Sequence, residues 1–188
     1  MKNSIQPRTL VLILMIVLSG VWRLVVSAGY IPLSNFTPIG AMALFGGCYF
    51  ANKWKAFAVP LATLWLSDLV LNYMTLGHHI VLFYDGFLLP YLSFALMVLI
   101  GMNIKKIAPS SILVAGVLAG LMHYIITDFG VWMEGLLYPK TSVGLATCYI
   151  AALPFLKNML ISNIVFSAAL FGGFEVIQKR LKLNPQVI

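Results

Sequence analysis

The sequence predicts an all-α fold, a polytopic membrane bundle of about six transmembrane helices with both termini on the cytoplasmic side. Three observations predict it. Hydrophobic residues make up 61% of the 188-residue chain and charged residues only 9%, with a mean hydropathy of +0.98. A soluble domain carries roughly 25% charged residues and could not hide so much apolar surface. The apolar residues fall into six runs separated by Pro, Gly and charged side chains, and Lys and Arg gather at alternate breaks between the runs. A span needs about 20 apolar residues, so six use roughly 120 positions and leave short connections within a single domain, residues 1–188.

The first run, near 9–28, follows Lys2 and Arg8 and has the charge pattern of a signal peptide. It continues to about Ala28 without a clear cleavage site, so an uncleaved helix is expected. The second run, near 37–51, is short. The third lies near 56–74, the fourth near 80–102, the fifth near 110–128 and the sixth near 154–178. Residues 129–153 read as a long outer loop containing Trp132, Tyr138, Pro139, Gly144 and Tyr149. Such a segment is either a lid over a site or an aromatic belt at the membrane interface.

Lys2, Arg8, Lys53, Lys55, Lys105, Lys106, Lys179, Arg180 and Lys182 account for nine of the twelve basic residues and fall on one side of this arrangement. The opposite connections, 29–36 and 75–79, contain none, which orients both termini inward. The net charge of +7 is therefore a topology signal. Basic residues that come singly or in pairs, without aromatic interleaving, do not form a nucleic-acid surface. Cys48 and Cys148 have no metal-ligand spacing and are expected to be free thiols.

Polar residues show the reverse bias. Asp68, Asp85, Asp128, Glu134, His78, His79 and His123 all fall at or near outer helix ends. Ionisable groups in lipid are expensive unless paired or facing a wet cavity, so this clustering points to a polar pocket opening outward. Arg23 and Asp68 sit at similar depth in the first and third helices; they form either a structural ion pair or part of a ligand site. His78 and His79 follow Gly77 in a short loop, with Tyr84 and Asp85 one to two turns on. They converge at a pocket mouth, or the histidines are simply solvated. His123 and Asp128 share the fifth helix and can face the same pocket, unless His123 only satisfies a neighbouring helix. The small-residue run Ala115-Gly116-x-x-Ala119-Gly120 permits close helix approach, within the bundle or to a partner protein. There is no phosphate-binding GxxxxGK[ST] loop, HExxH helix or GxSxG elbow, and no catalytic or metal-ligating set is assigned.

The segment Asn35-Phe36-Thr37-Pro38-Ile39-Gly40-Ala41-Met42-Ala43-Leu44-Phe45-Gly46-Gly47, followed by Leu64-Trp65-Leu66-Ser67-Asp68, resembles small bacterial membrane proteins related to the solitary S components of energy-coupling factor (ECF) vitamin transporters. BtuM-like cobalamin carriers are the nearest functional reference. The resemblance implies capture of a vitamin-like small molecule, cobalamin or a related cofactor precursor, in the bacterial inner membrane. Loops one, three and five would close the pocket, and an ECF-type energising module would be a partner alongside the lipid bilayer. The bound vitamin is then substrate and no resident cofactor is implied. Tyr138 in loop five and Asn35 in loop one join Arg23, Asp68, His78, His79, Tyr84, Asp85, His123 and Asp128 as substrate-binding candidates, with His78 or His79 as the cobalt ligand if the substrate is a corrinoid. No small-residue AxxxA pair occurs from Thr9 to Ala28, where many S components dock their coupling subunit. Two other classes remain open: an intramembrane enzyme using His123, Asp128 and Glu134 as acid-base groups, and a membrane scaffold working through the small-residue face.

Overall fold

The computed structural model describes residues 7–27, 33–75 and 77–180. Lys2 and Lys182 of the charge pattern, and residues 28–32 of the first outer connection, lie outside these. The described chain is all helical: α1 (Pro7–Ser27), α2 (Ile39–Tyr49), α3 (Lys53–Thr75), α4 (Leu88–Met102), α5 (Pro109–Glu134) and α6 (Ser142–Arg180). Of these, α3, α5 and α6 are long and apolar enough to cross a membrane.

The short helix α2 is the centre of the bundle. Every residue from Ile39 to Gly47 is buried, as expected of a helix with no polar face. Its glycines explain how it fits. A Cβ on Gly47 would overlap the backbone of Val98 and Met102 in α4, and one on Gly101 of α4 would overlap Leu44 of α2. The two backbones therefore touch, in the close approach that small residues permit between helices. Around the C-terminal end of α2, Phe45, Tyr49, Phe50, Phe171 and Phe174 pack with ring centroids 4.7 to 6.5 Å apart.

The helices alternate in direction. The end of α2 meets α6 near Phe174 and α4 near Met102, and the start of α5 meets α6 near Phe171 and Glu175. Lys53, Lys55, Lys105, Lys106, Lys179 and Arg180 therefore share one end of the bundle. The small-residue run of α5 is used internally: Ala115, Gly116, Ala119 and Gly120 are buried. Gly116 lies beside Asn163, whose Nδ2 donates to the Gly116 carbonyl at 3.0 Å, and Gly120 lies against Leu160.

Two stretches depart from the sequence expectation. Residues 129–153 are mostly helical, not an outer loop. Helix α5 runs on to Glu134 and ends at Gly135, whose left-handed φ of 71° closes the helix; only residues 135–141 connect it to α6. The aromatic residues that suggested a loop instead join two antiparallel helices. The Tyr124 hydroxyl donates to the Tyr149 carbonyl at 2.6 Å, the Tyr149 hydroxyl to the Ile125 carbonyl at 2.8 Å, and Cys148 Sγ to the Asp128 carbonyl at 3.3 Å. Both cysteines are free thiols. Pro154, which marked the expected start of the sixth helix, lies inside α6, a helix of 39 residues and about 58 Å. The second departure is residues 80–87, which form turns before α4 and not its first two turns. They are held against α3 by Trp65 Nε1 donating to the Leu82 carbonyl at 3.1 Å and Asn72 Nδ2 to the Val81 carbonyl at 3.2 Å.

Candidate functional site

Arg23 and Asp68 are paired. Arg23 Nη2 stands 2.6 Å from Asp68 Oδ1, and Nη1 donates to Ser67 Oγ at 2.6 Å. The second carboxylate oxygen of Asp68 accepts from the Tyr91 hydroxyl at 2.8 Å. Asp68 is only 4% exposed, so its charge depends on these partners. Ser67 is oriented in turn by sharing its one hydroxyl proton between the carbonyls of Thr63 and Leu64. Sequence depth alone suggested the Arg23–Asp68 pair; Ser67 and Tyr91 were not foreseen, although Ser67 adjoins Asp68 in the segment carrying the resemblance.

Beside this pair lies a cavity of about 370 Å³. Arg23, Asn35, Tyr84, His123 and Asp128, all candidates from the sequence, line it, with Thr127, Phe94 and Phe155. They come from α1, α4, α5, α6 and the two connections at residues 33–38 and 80–87. The first connection is fixed by α6 and α1: Asn158 Nδ2 donates to the Ser34 carbonyl at 3.0 Å, the Ser162 hydroxyl donates to the Thr37 carbonyl, and Trp22 Nε1 donates to the Phe36 carbonyl at 2.9 Å. Asn35 takes a left-handed φ of 65°, a conformation that Asn tolerates better than most residues. The i, i+4 pair Asn158 and Ser162 on α6 is the sequence signal for this anchoring.

His123 is buried and bonded through Nδ1 to Ser93 Oγ at 2.7 Å. The Ser93 hydroxyl also lies 2.7 Å from the Pro90 carbonyl, so it ties the His123 ring to the backbone of α4. Thr127 Oγ1 donates to the His123 carbonyl at 2.8 Å, so its lone pairs remain for the cavity. Tyr84, half-buried in its connection, has its hydroxyl pKa pushed up to about 12, first by desolvation and then by the charge of Asp68, with Arg23 opposing. It stays a donor at neutral pH. Asp128 is half-buried and has no ion-pair partner among the described residues.

The other candidates lie elsewhere. His78 and His79 are exposed after α3, and His78 packs on Tyr73 with ring centroids 5.1 Å apart. Asp85 is exposed in its turn and Tyr138 lies in the 135–141 connection; none of the four lines the cavity. Glu134 is also outside it, with its carboxylate against Gly86. No three His, Cys, Asp or Glu side chains gather as a metal site among the described residues. Two larger grooves, about 820 and 480 Å³, flank α5 at the lysine-bearing end and are lined mainly by apolar side chains.

A model of a protein family of unknown function (DUF6580) matches residues 3–186, nearly the whole chain. No curated protein and no solved structure is significantly similar to it.

Proposed function

This chain belongs to DUF6580, a family of unknown function, so its activity has to be read from its site, and we propose that it captures a vitamin-like small molecule within a membrane, as an S-component-like uptake protein. The observation that carries this reading is the convergence of Arg23, Asn35, Tyr84, His123 and Asp128, from separate parts of the chain, on one polar cavity at the end away from the lysines. Under the positive-inside rule that cavity faces outward, with six spans and both termini in the cytoplasm of a bacterial inner membrane. The apolar grooves flanking α5 then face acyl chains.

The size of the cavity refines the substrate. About 370 Å³ is near the small end of ligand pockets, roughly 300–1,000 Å³, which favours a compact vitamin or precursor over a whole corrinoid. The exposed positions of His78 and His79 point the same way. Capture without turnover is supported by the acid-base candidates: His123 is held by Ser93, and Glu134 does not share the cavity with it and Asp128. An ECF-type module or an ion gradient would supply the energy for transport. The scaffold reading loses its main support because the small-residue face of α5 is covered by α6.

The test is to purify the protein in mild detergent and identify any co-purified small molecule by absorption and mass spectrometry. A bound molecule is expected from the wild type and from Gly172→Ala, where an added methyl meets no atom within 4 Å. It is expected to be lost from Thr127→Trp, which fills the cavity. Retention by Thr127→Trp would place the ligand elsewhere and overturn the reading.

A further inference from the structure

The charges lining the cavity do not balance. Arg23 is neutralised at 2.6 Å by Asp68, which lies behind it and does not line the space. Asp128 does line it, half-buried, and no cation is paired with it among the described residues. The site therefore presents one carboxylate whose counter-charge is missing, in surroundings where an unpaired charge is costly. Aromatic rings occupy the same walls: Tyr84 from the 80–87 connection, Phe94 from α4 and Phe155 from α6. Phe94 is itself fixed, 6% exposed and tilted against His123 with centroids 5.0 Å apart. A carboxylate and aromatic side chains lining one small cavity suit a cation, which pairs with the charge and is favoured by the ring quadrupoles.

We propose that the ligand of this cavity is a small organic cation, with a positively charged nitrogen held by Asp128 and a flat or apolar body against Phe94 and Phe155. The proposal rests on the capture reading and narrows it to a substrate class. The His123 ring and the donor hydroxyl of Tyr84 supply polar contacts to the rest of the molecule. Arg23, already paired, fixes one wall and does not select an anion.

Binding of three probes of one shape and different charge tests this: benzylammonium, neutral benzyl alcohol and anionic benzoate, titrated into the full-length protein in nanodiscs, with empty nanodiscs as the blank. Benzylammonium is expected to bind at least about tenfold more tightly than benzyl alcohol, the scale of one hydrogen bond to a charged group, and benzoate more weakly than either. Asp128→Asn keeps the side-chain shape and is expected to abolish that preference without lowering the melting temperature; Phe155→Leu is expected to weaken the cation and the alcohol alike, because both set the same ring against it. Equal binding of the three, a preference for benzoate, or a cation preference that survives Asp128→Asn overturns the cation assignment and leaves capture standing. If no probe binds but a molecule co-purifies, its charge at neutral pH decides: a cation supports the proposal and a neutral or anionic molecule overturns it. If no probe binds and nothing co-purifies, the capture reading fails and the proposal with it.

Discussion

Asp68 shows what a buried charge demands of its neighbours. Its two oxygens are taken by Arg23 and Tyr91, and Arg23 is held in turn by Ser67. Asp68→Ala leaves a largely buried guanidinium unpaired and is expected to destabilise the protein by about 3–5 kcal/mol, seen as a lower melting temperature in detergent. The double variant Arg23→Met with Asp68→Leu is expected to recover most of the loss, because no uncompensated charge remains; if the double variant is as unstable as the single one, the pair has a role beyond mutual neutralisation. Tyr84 gives a pH dependence of definite sign. Its folded pKa of about 12 lies above the ordinary value of 10, so its contribution to stability is full below pH 10 and is lost as pH rises from 10 towards 12. Tyr84→Phe is expected to flatten that part of the denaturation profile, and an unchanged profile would show that the hydroxyl is not desolvated. At this scale the sequence exposed Arg23, Asp68, His123 and Asp128, because ionisable residues stand out in an apolar run. Ser67, Ser93 and Thr127 did not stand out, since hydroxyls are tolerated in apolar helices by bonding to the helix's own backbone, and Tyr91 did not because its partner, Asp68, lies on another helix.

The bundle is organised around α2, an element too short and too uniform for its apolar pattern to reveal what it touches. Its glycines carry the information. Gly47→Ala and Gly101→Ala each place a methyl group on a neighbouring helix backbone, where nothing flexible can yield, and the cost expected for such overpacking is about 1–3 kcal/mol or more. Gly173→Ala, on a stretch of α6 where an added Cβ meets nothing within 4 Å, is expected to be neutral or stabilising by up to about 1 kcal/mol. Melting temperatures of the three variants check the contrast; equal destabilisation would mean that the α2–α4 contact is looser than the backbone positions require. The limits of α5 and α6 were harder to read. Pro154 and the cluster of Trp132, Tyr138, Pro139 and Tyr149 had the composition of a loop, yet Tyr124 and Tyr149 bond across the hairpin to backbone carbonyls of the opposite helix. A residue pattern records turn formers; it does not record the partner that lets a helix absorb them.

For the molecule as a whole, the division between a lysine-bearing end and a cavity-bearing end gives a topology that fusions can test. A reporter after Lys182 is expected to be cytoplasmic and one after Gly77 to be external; the opposite result would turn the cavity towards the cytoplasm and count against the proposed capture from outside. Composition by itself pointed to the class of fold, because an apolar fraction of 61% with 9% charge suits helices that satisfy their own backbone and leave apolar sides to be covered. The pattern of apolar runs and breakers along the chain determined the number of helices and which connections carry the lysines, both local properties of the chain. Which polar residues meet was decided by the tertiary structure alone. Tyr84 reaches the cavity while its neighbour Asp85 is exposed, and His123 lines it while His78 and His79 do not, because those outcomes depend on the turn at 80–87, on the approach of α4 to α2 and on the packing of α6 along α5. Such long-range contacts are set by the shapes of surfaces distant in sequence, and no local pattern of residues encodes them.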